Sequence, residues 1–436
     1  MNVLDAANER IKKVFDEFDN IYVAFSGGKD SGVLLNLVID YIRNHAPDRR
    51  IGVYHMDYEA QYQMTTDYVV SELSKNLDII DVYHICLPIA AQCATSMENA
   101  YWIPWDADKK DIWVRDMPNG EGVINEDNCT FPWFLKGMYD YEVQERFTKW
   151  IHEKNKAKKT ACLVGIRTQE SQNRWNALHG TKKLEETKYN GINWFSKMFE
   201  NAYNAYPIFD WTTEDIWVAN GKFEWDYNDL YNIFYKAGIP LNSQRVASPF
   251  NDCAIESLKL YKVIDPKNWG KMIGRTNGVN FAGMYGGTTA MGWKSIKLPE
   301  GHTWKSYMEF LLKTLPEDVA DNYKKKLSFS QKYWKEKGGG LSPATAQLLV
   351  DLGIPHTVGK EARKSAVFKE NLPVMMDYQD DIDIADFKLI PTYKRMCICI
   401  MKNDHCCTYM GFGKNKTEVM MRAQAEKKYK NIAKKE

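Results

Sequence analysis

The stretch IYVAFSGGKDSGVLLNLVI, residues 21–39, constrains the fold more than any other part of the chain. Ile21, Tyr22, Val23, Ala24 and Phe25 form the short apolar run expected of a strand buried on both faces in a parallel sheet. From Ser31 onward Val33, Leu34, Leu37, Val38, Tyr41 and Ile42 recur at helical spacing, so the chain turns from strand to helix across Ser26, Gly27, Gly28, Lys29 and Asp30. The first amides of a helix have no internal partner and carry roughly half a positive charge, which makes such a junction an anion site. The glycines let the backbone approach the anion, Lys29 adds a cation, and the hydroxyls of Ser26 and Ser31 add donors. The group this junction predicts is a phosphate.

Spacing excludes two common phosphate loops. G-x-x-x-x-G-K-[ST] fails because Val23 stands where its first glycine belongs and Asp30 follows Lys29, and G-x-G-x-x-G fails as well. The segments IGVYHMD (Ile51–Asp57), IIDVYHICLPI (Ile79–Ile89) and CLVGI (Cys162–Ile166) read as further strands between helical stretches. This alternation predicts right-handed βαβ units, a doubly wound parallel sheet, and ligands at the carboxyl ends of the strands. Asp57 falls at such an end, where it has four readings: contact to a ribose hydroxyl, to an amine or to a metal, or N-cap of the next helix. After CLVGI, Arg167 and Arg174 are suited to clamp phosphate or sulfate bidentately, with Glu170 placed to orient one of them.

A chain of 436 residues predicts two or three domains. With 44% hydrophobic and 26% charged residues it reads as globular, and no stretch reaches the roughly 20 uncharged apolar residues of a membrane span. The start, MNVLDAANERIKKVFDEF, shows helical periodicity and no signal-peptide pattern, so a cytoplasmic location is expected. Nine cysteines, an odd number, are scattered rather than framed, so most are expected as reduced thiols. The net charge of +1 excludes a strongly basic or acidic protein but selects no partner.

SGGKDS resembles the PP-loop, S-G-G-x-D-S, of the adenine nucleotide α-hydrolase superfamily, with matches at Ser26, Gly27, Gly28, Asp30 and Ser31. VGIRTQESQNRW (residues 164–175) is similar to the G-[IL]-R-x-x-E-S-x-x-R segment of the phosphoadenosine phosphosulfate (PAPS) reductase family. YPIFDWTTEDIW (residues 206–217) is similar to that family's P-[IL]-x-x-W-T-x-x-D-[IV]-W segment. The resemblance implies nucleotide contacts for Ser26, Gly27, Gly28, Lys29, Ser31, Arg167 and Arg174; Asp30, Asp57, Gly165 and Glu170 complete the candidate set. Lys29, Asp30, Arg167 and Arg174 are the candidates for catalysis, while Trp211, Asp215 and Trp217 are expected to pack the domain. The later stretches RVASPFNDCAIESLKLYKVIDPKNWGKMIG, LPEGHTWKSYMEFLL and YKRMCICIMKNDHCCTYMGF resemble the subgroup of this family that carries a C-terminal domain of unknown function, DUF3440. That subgroup includes IbrA-like regulators of gene expression, and the likeness implies a ParB-like (IbrB-like) protein partner.

The sulfonate-accepting cysteine of thioredoxin-linked PAPS reductases, in E-C-G-L-H, has no counterpart here, and neither do the paired cysteines of the iron–sulfur enzymes. Cys253 is the remaining thiol candidate, with a buried core residue as its alternative. No iron–sulfur cluster is expected. A full PP-loop favours ATP carried with magnesium, held either by the nucleotide alone or also by Asp30 or Asp57, and cleavage at the α-phosphate. PAPS with thiol-dependent reduction, and a regulator that binds nucleotide without turnover, are the alternatives.

Cys397 and Cys399 sit two apart in RMCICIM, which reads as one strand of a hairpin turning at KNDH, with Cys406 and Cys407 beyond the turn. Zinc is not expected there, because the spacing lacks the C-x-x-C of structural zinc sites. The expected organisation is a PP-loop domain over 1–262 with a tryptophan-rich insertion at about 96–144. A mainly helical region over 263–340 follows, ending near a flexible KGGGLSP, and then an α+β region over 341–436. The insertion stacks on a base, lines the substrate pocket, or packs against its host domain. From 414 to 436 eight Lys or Arg stand against three Glu, so this terminal helix is either a nucleic-acid contact or a solvated face.

Overall fold

A computed structural model describes residues 2–96, 99–170, 188–251, 254–286, 296–361, 370–384, 390–405, 407 and 410. Two compact units are formed, Met1–Cys93 with Tyr101–Met284, and Ala94–Ala100 with Tyr285–Glu436.

The first unit is built on a seven-stranded sheet. Its strands are β1 (Asn20–Ala24), β2 (Ile51–Met56), β3 (Ile80–Ile85), β6 (Val123–Ile124), β7 (Thr160–Val164), β8 (Phe195–Phe199) and β9 (Ala202–Ala205); β4 (Ala91–Gln92) and β5 (Tyr101–Trp102) form a separate short pair. The order is β6-β3-β2-β1-β7-β9-β8, parallel throughout except for the antiparallel β8 on β9. The sheet is therefore the doubly wound α/β type that the sequence predicts. β1 lies between β2 and β7, where the winding reverses, and ligands of such sheets bind at that switch point.

Alternation along each strand explains why these runs are continuously apolar. Ile21, Val23, Val53 and Leu163 join a core with helices α1 (Val3–Glu17), α2 (Lys29–His45) and α3 (Gln63–Ser74). Tyr22, Tyr54, Tyr83 and Cys162 join a second core with Phe147 and Ile151 of α4 (Asp140–Lys154). Both faces are covered, as a parallel sheet requires. Helix α5 (Thr213–Phe223) starts with a capping box in which the Thr212 side chain accepts from the Asp215 amide, and Trp211 is buried with its indole N–H donating to Val3 O at 3.1 Å. Trp217 lies against the rings of Tyr227 and Tyr231. The expected packing roles of Trp211, Asp215 and Trp217 are thus what the structure has.

The tryptophan-rich insertion packs against its host. Glu59, fully buried at φ +62°, accepts from the amides of Trp105 (2.7 Å) and Val114 (3.0 Å) and from the Arg275 guanidinium (2.8 and 3.0 Å). The Trp105 indole donates to Asp57 O at 3.0 Å. The Glu59 carboxylate and the Asp57 backbone carbonyl, both just past β2, therefore pin the insertion to the sheet, and the left-handed backbone at Glu59 is held by its own side-chain contacts.

In the second unit, helices Trp304–Lys313, Glu317–Glu336 and Tyr393–Met401 bury Met308, Tyr323, Met396, Cys397, Cys399 and Ile400. A three-stranded antiparallel sheet, β10 (Gly339–Leu341), β12 (Leu372–Met376) and β11 (His356–Val358) in that order, packs beside helix Pro343–Asp351. That helix is capped by Ser342, whose hydroxyl accepts from the Thr345 amide at 3.2 Å.

Two expectations are corrected here. RMCICIM is a helix, not a hairpin strand: Thr392 caps it, Cys397 and Cys399 are both fully buried, and KNDH ends the helix, with Asn403 at φ +51° and Asp404 N–H donating to Cys399 O at 2.8 Å. The unbroken apolar run Met396–Met401 reads the same as a buried strand, because it holds no polar residue to mark the outer face of a helix. KGGGLSP is not a flexible break either. Gly338 (φ +68°) turns the chain into β10, and a Cβ at Gly339 would stand 2.1 Å from the Trp334 ring, so these glycines serve a turn and close packing. Arg174, Cys253, Cys406 and the basic segment 414–436 lie outside the described residues.

Candidate functional site

The loop between β1 and α2 opens onto a cavity of about 590 Å³ at the carboxyl ends of β1, β2 and β7. Ser26, Gly28, Lys29, Asp30, Ser31, Gly165 and Glu170 line it. Gly28 is the N-cap of α2 and, being glycine, brings no capping side chain of its own. The two serine hydroxyls are 3.0 Å apart; Ser31 Oγ donates to Gly28 O at 3.1 Å and accepts from Ser26 N–H at 3.2 Å, which folds the loop back on the helix. Gly27 has φ +74°, and a Cβ there would stand 2.7 Å from Val69 Cγ2, so only glycine fits. A Cβ at Gly165 would stand 3.0 Å from the backbone of Asp30 and Ser31, so this glycine lets β7 approach the loop.

Residues far along the chain hold the loop in place. The Tyr231 hydroxyl accepts from the Lys29 amide at 3.0 Å, and Asn228 Nδ2 donates to Gly27 O at 3.1 Å. Lys29 is 4% exposed; its ammonium donates to Gln244 O at 3.2 Å and pairs with Asp30 Oδ2 at 3.2 Å. Burial pulls the Lys29 pKa below the usual lysine value, and Asp30 opposes that shift.

Arg167 is not placed on the cavity wall. It is 2% exposed and braces the loop: Nε donates to Asp30 Oδ1 at 2.5 Å, Nη1 donates to Gln169 Oε1 at 3.1 Å, and Nη2 stands 3.6 Å from Glu170 Oε1. Arg245 is the arginine that lines the cavity, its Nη2 donating to Glu170 O at 3.2 Å. Sequence reading missed it, because Arg245 is 78 residues beyond Arg167 and stands in no phosphate motif. Its only signal was a cation in a loop that the tertiary fold brings to the phosphate turn.

Asp57 is fully buried and does not line the cavity. It pairs with Arg115, accepts from His84 Nε2 at 3.0 Å, and accepts from the Glu59 amide at 2.9 Å. Burial alone would raise its pKa, but Arg115 and His84 hold it well below the usual carboxylate range. The helix after β2 starts at Gln63 behind Tyr62, so Asp57 is not its N-cap. His55, Asp57 and His84 bring metal-capable atoms within 4.8 Å of one another, yet Arg115 already answers the carboxylate charge. Both oxygens of Asp30 are likewise engaged by Arg167 and Lys29. Neither carboxylate fits a protein-held magnesium ion, because each is already neutralised by buried cations.

Cys162 also lines the cavity, but burial pushes its thiol up to about 12, far from the thiolate that a nucleophile requires. None of the tryptophans of the insertion reaches the wall.

The family described as the phosphoadenosine phosphosulfate reductase domain matches residues 133–237, and the domain of unknown function DUF3440 matches residues 238–421. The DUF3440 match begins within the first unit, so Arg245 and Ser248 at the cavity belong to it, as does Gln244, whose carbonyl accepts from Lys29. The uncharacterized protein YbdN of Escherichia coli (strain K12) is 30% identical over 421 residues, covering 96% of this chain and 92% of YbdN. Among solved structures, PAPS reductase from Candida auris in a phosphate complex is similar at 12% identity, covering 56% of this chain and 87% of that one, with a TM-score of 0.31. The Candida glabrata FMN adenylyltransferase in complex with ATP is similar at 14% identity, covering 52% and 57%, with a TM-score of 0.31. No helix among the described residues is long and apolar enough to cross a membrane. With YbdN aligned over nearly its whole length and the two domain families meeting at residue 238, the chain belongs to the family that joins a PAPS reductase-like PP-loop domain to a DUF3440 domain.

Proposed function

We propose that this protein binds ATP as its magnesium complex and acts at the α-phosphate. The observation that carries the reading is the glycine-capped start of α2, where Lys29 and the Ser26–Ser31 turn line a cavity of nucleotide size that Arg245 also lines. The loop and its cations would hold the β- and γ-phosphates. An acceptor, or water, forms the new bond to the α-phosphorus and gives up a proton, while the bond to the bridging oxygen breaks and pyrophosphate leaves into the loop. Magnesium enters with the nucleotide as part of the substrate, since Asp30 and Asp57 are spent on internal ion pairs.

The PAPS reductase domain match favours a second reading, in which the same loop holds PAPS and a thiol takes the sulfonate. Cys162 does not suit that role, as its raised pKa disfavours the thiolate. The purified protein is to be incubated with MgATP, and separately with PAPS and a dithiol, and the products separated by chromatography. AMP or an adenylated product with pyrophosphate supports the first reading; adenosine bisphosphate with sulfite replaces it with the second. Binding of ATP without turnover would leave a nucleotide-dependent regulator. A ParB-like companion is the protein partner we propose on the sequence resemblance, tested by co-purification with and without nucleotide.

A further inference from the structure

Beyond the phosphate turn, the cavity wall is apolar at its tyrosines and unsatisfied at two polar groups. Tyr22, Tyr54, Tyr58 and Tyr206 line it, and each hydroxyl is already engaged. Tyr22 shares a hydrogen bond with Thr148 Oγ1 (2.8 Å) and Tyr206 with Ser196 Oγ (2.7 Å), while Tyr58 donates to Asp140 Oδ2 (3.1 Å) and Tyr54 to Met56 Sδ (3.9 Å). What these side chains can still offer a ligand is ring surface. Gln61 and Ser248 differ. They are 5% and 3% exposed, both line the cavity, and neither Gln61 Oε1 nor Ser248 Oγ has a hydrogen-bond partner. Native folds leave few buried polar groups in that condition, and one on a cavity wall calls for a ligand group to complete it.

We propose that this inner chamber holds the base of the nucleotide and that Gln61 selects it, its side-chain oxygen accepting a hydrogen bond from the exocyclic amine of adenine. Ser248 supplies a second polar contact, and the tyrosine rings cover the flat faces of the base. The inference rests on the nucleotide reading above and adds the specificity. With the Gln61 amide oriented as it is here, a purine with an oxo group in place of that amine would set two acceptors against each other.

The test is calorimetric titration of the full-length protein with MgATP and with MgITP, which differ at C6 of the base and in the proton on the adjacent N1. The wild type is expected to bind MgATP about tenfold or more tightly than MgITP. Gln61→Leu should bring MgATP down to the MgITP level while MgITP binding stays. Gln61→Met, which keeps the length of the side chain, should do the same and guards against a packing effect peculiar to leucine. Lys29→Ala should weaken both nucleotides together. Equal binding of the two nucleotides by the wild type, or an unchanged ratio in both Gln61 variants, overturns the assignment while leaving the nucleotide reading in place. Failure of the wild type to bind either nucleotide overturns both.

Discussion

Arg167 separates a ligand contact from an internal brace, and its replacement by alanine distinguishes them. The guanidinium is 2% exposed and holds Asp30, Gln169 and Glu170. Removing it leaves the Asp30 carboxylate, whose side chain is 13% exposed, with Lys29 alone at 3.2 Å. It also costs Gln169 Oε1 one donor, though the Thr213 amide still donates to that oxygen at 2.8 Å. Breaking one partner of a buried ion pair costs roughly 3–5 kcal/mol. For a unit of this size that is a fall of roughly 10 °C in the thermal midpoint. The assay is thermal unfolding followed by circular dichroism, with MgATP titration well below the midpoint. Stability should drop while affinity falls only a few-fold, by displacement of the loop. An affinity loss of about a hundredfold at unchanged stability would refute the brace and make Arg167 a phosphate ligand.

Burial lowers the Lys29 pKa, so between that value and the usual 10.5 the unfolded chain binds more protons than the folded one. Stability should therefore rise with pH across that window, while MgATP affinity, which needs the ammonium, falls; Lys29→Arg should remove the affinity trend. Burial, then the neighbouring His84, lowers the His55 pKa from 6.5 to about 3, so the folded state again binds fewer protons and stability should be lost as pH falls from 6.5 toward 3. Urea midpoints across that range measure it, and His55→Gln should flatten the slope. Gly165→Ala should weaken MgATP binding about tenfold by forcing Asp30 and Ser31 back, with a smaller loss in stability, seen by titration and melting. Cys162, with its thiol at about 12, should escape iodoacetamide at pH 8 in the native protein by peptide mass spectrometry, and Cys162→Ala should keep turnover.

The phosphate turn was legible in the sequence because all its determinants are local. An apolar strand, a Gly27 that must take positive φ, the hydroxyls of Ser26 and Ser31 and a helical repeat occupy one continuous stretch, and that stretch folds much as its spacing predicts. The parallel sheet was legible for the same reason, since strands covered on both faces have to be apolar throughout. That signal failed at 393–401, where an unbroken apolar run from Met396 to Met401 hid the difference between strand and helix periods.

The assignment of charges was decided by the tertiary structure alone. Asp57 and Arg167 carry the residue types of a binding site and stand beside strand ends, but Arg115, 58 residues beyond Asp57, and the loop's own Asp30 consume them internally. Arg245, Gln61 and Ser248, which carry no motif, line the cavity beside the loop residues. Whether a polar group is spent or open to a ligand depends on which distant residue packs against it, and local spacing does not encode that partner.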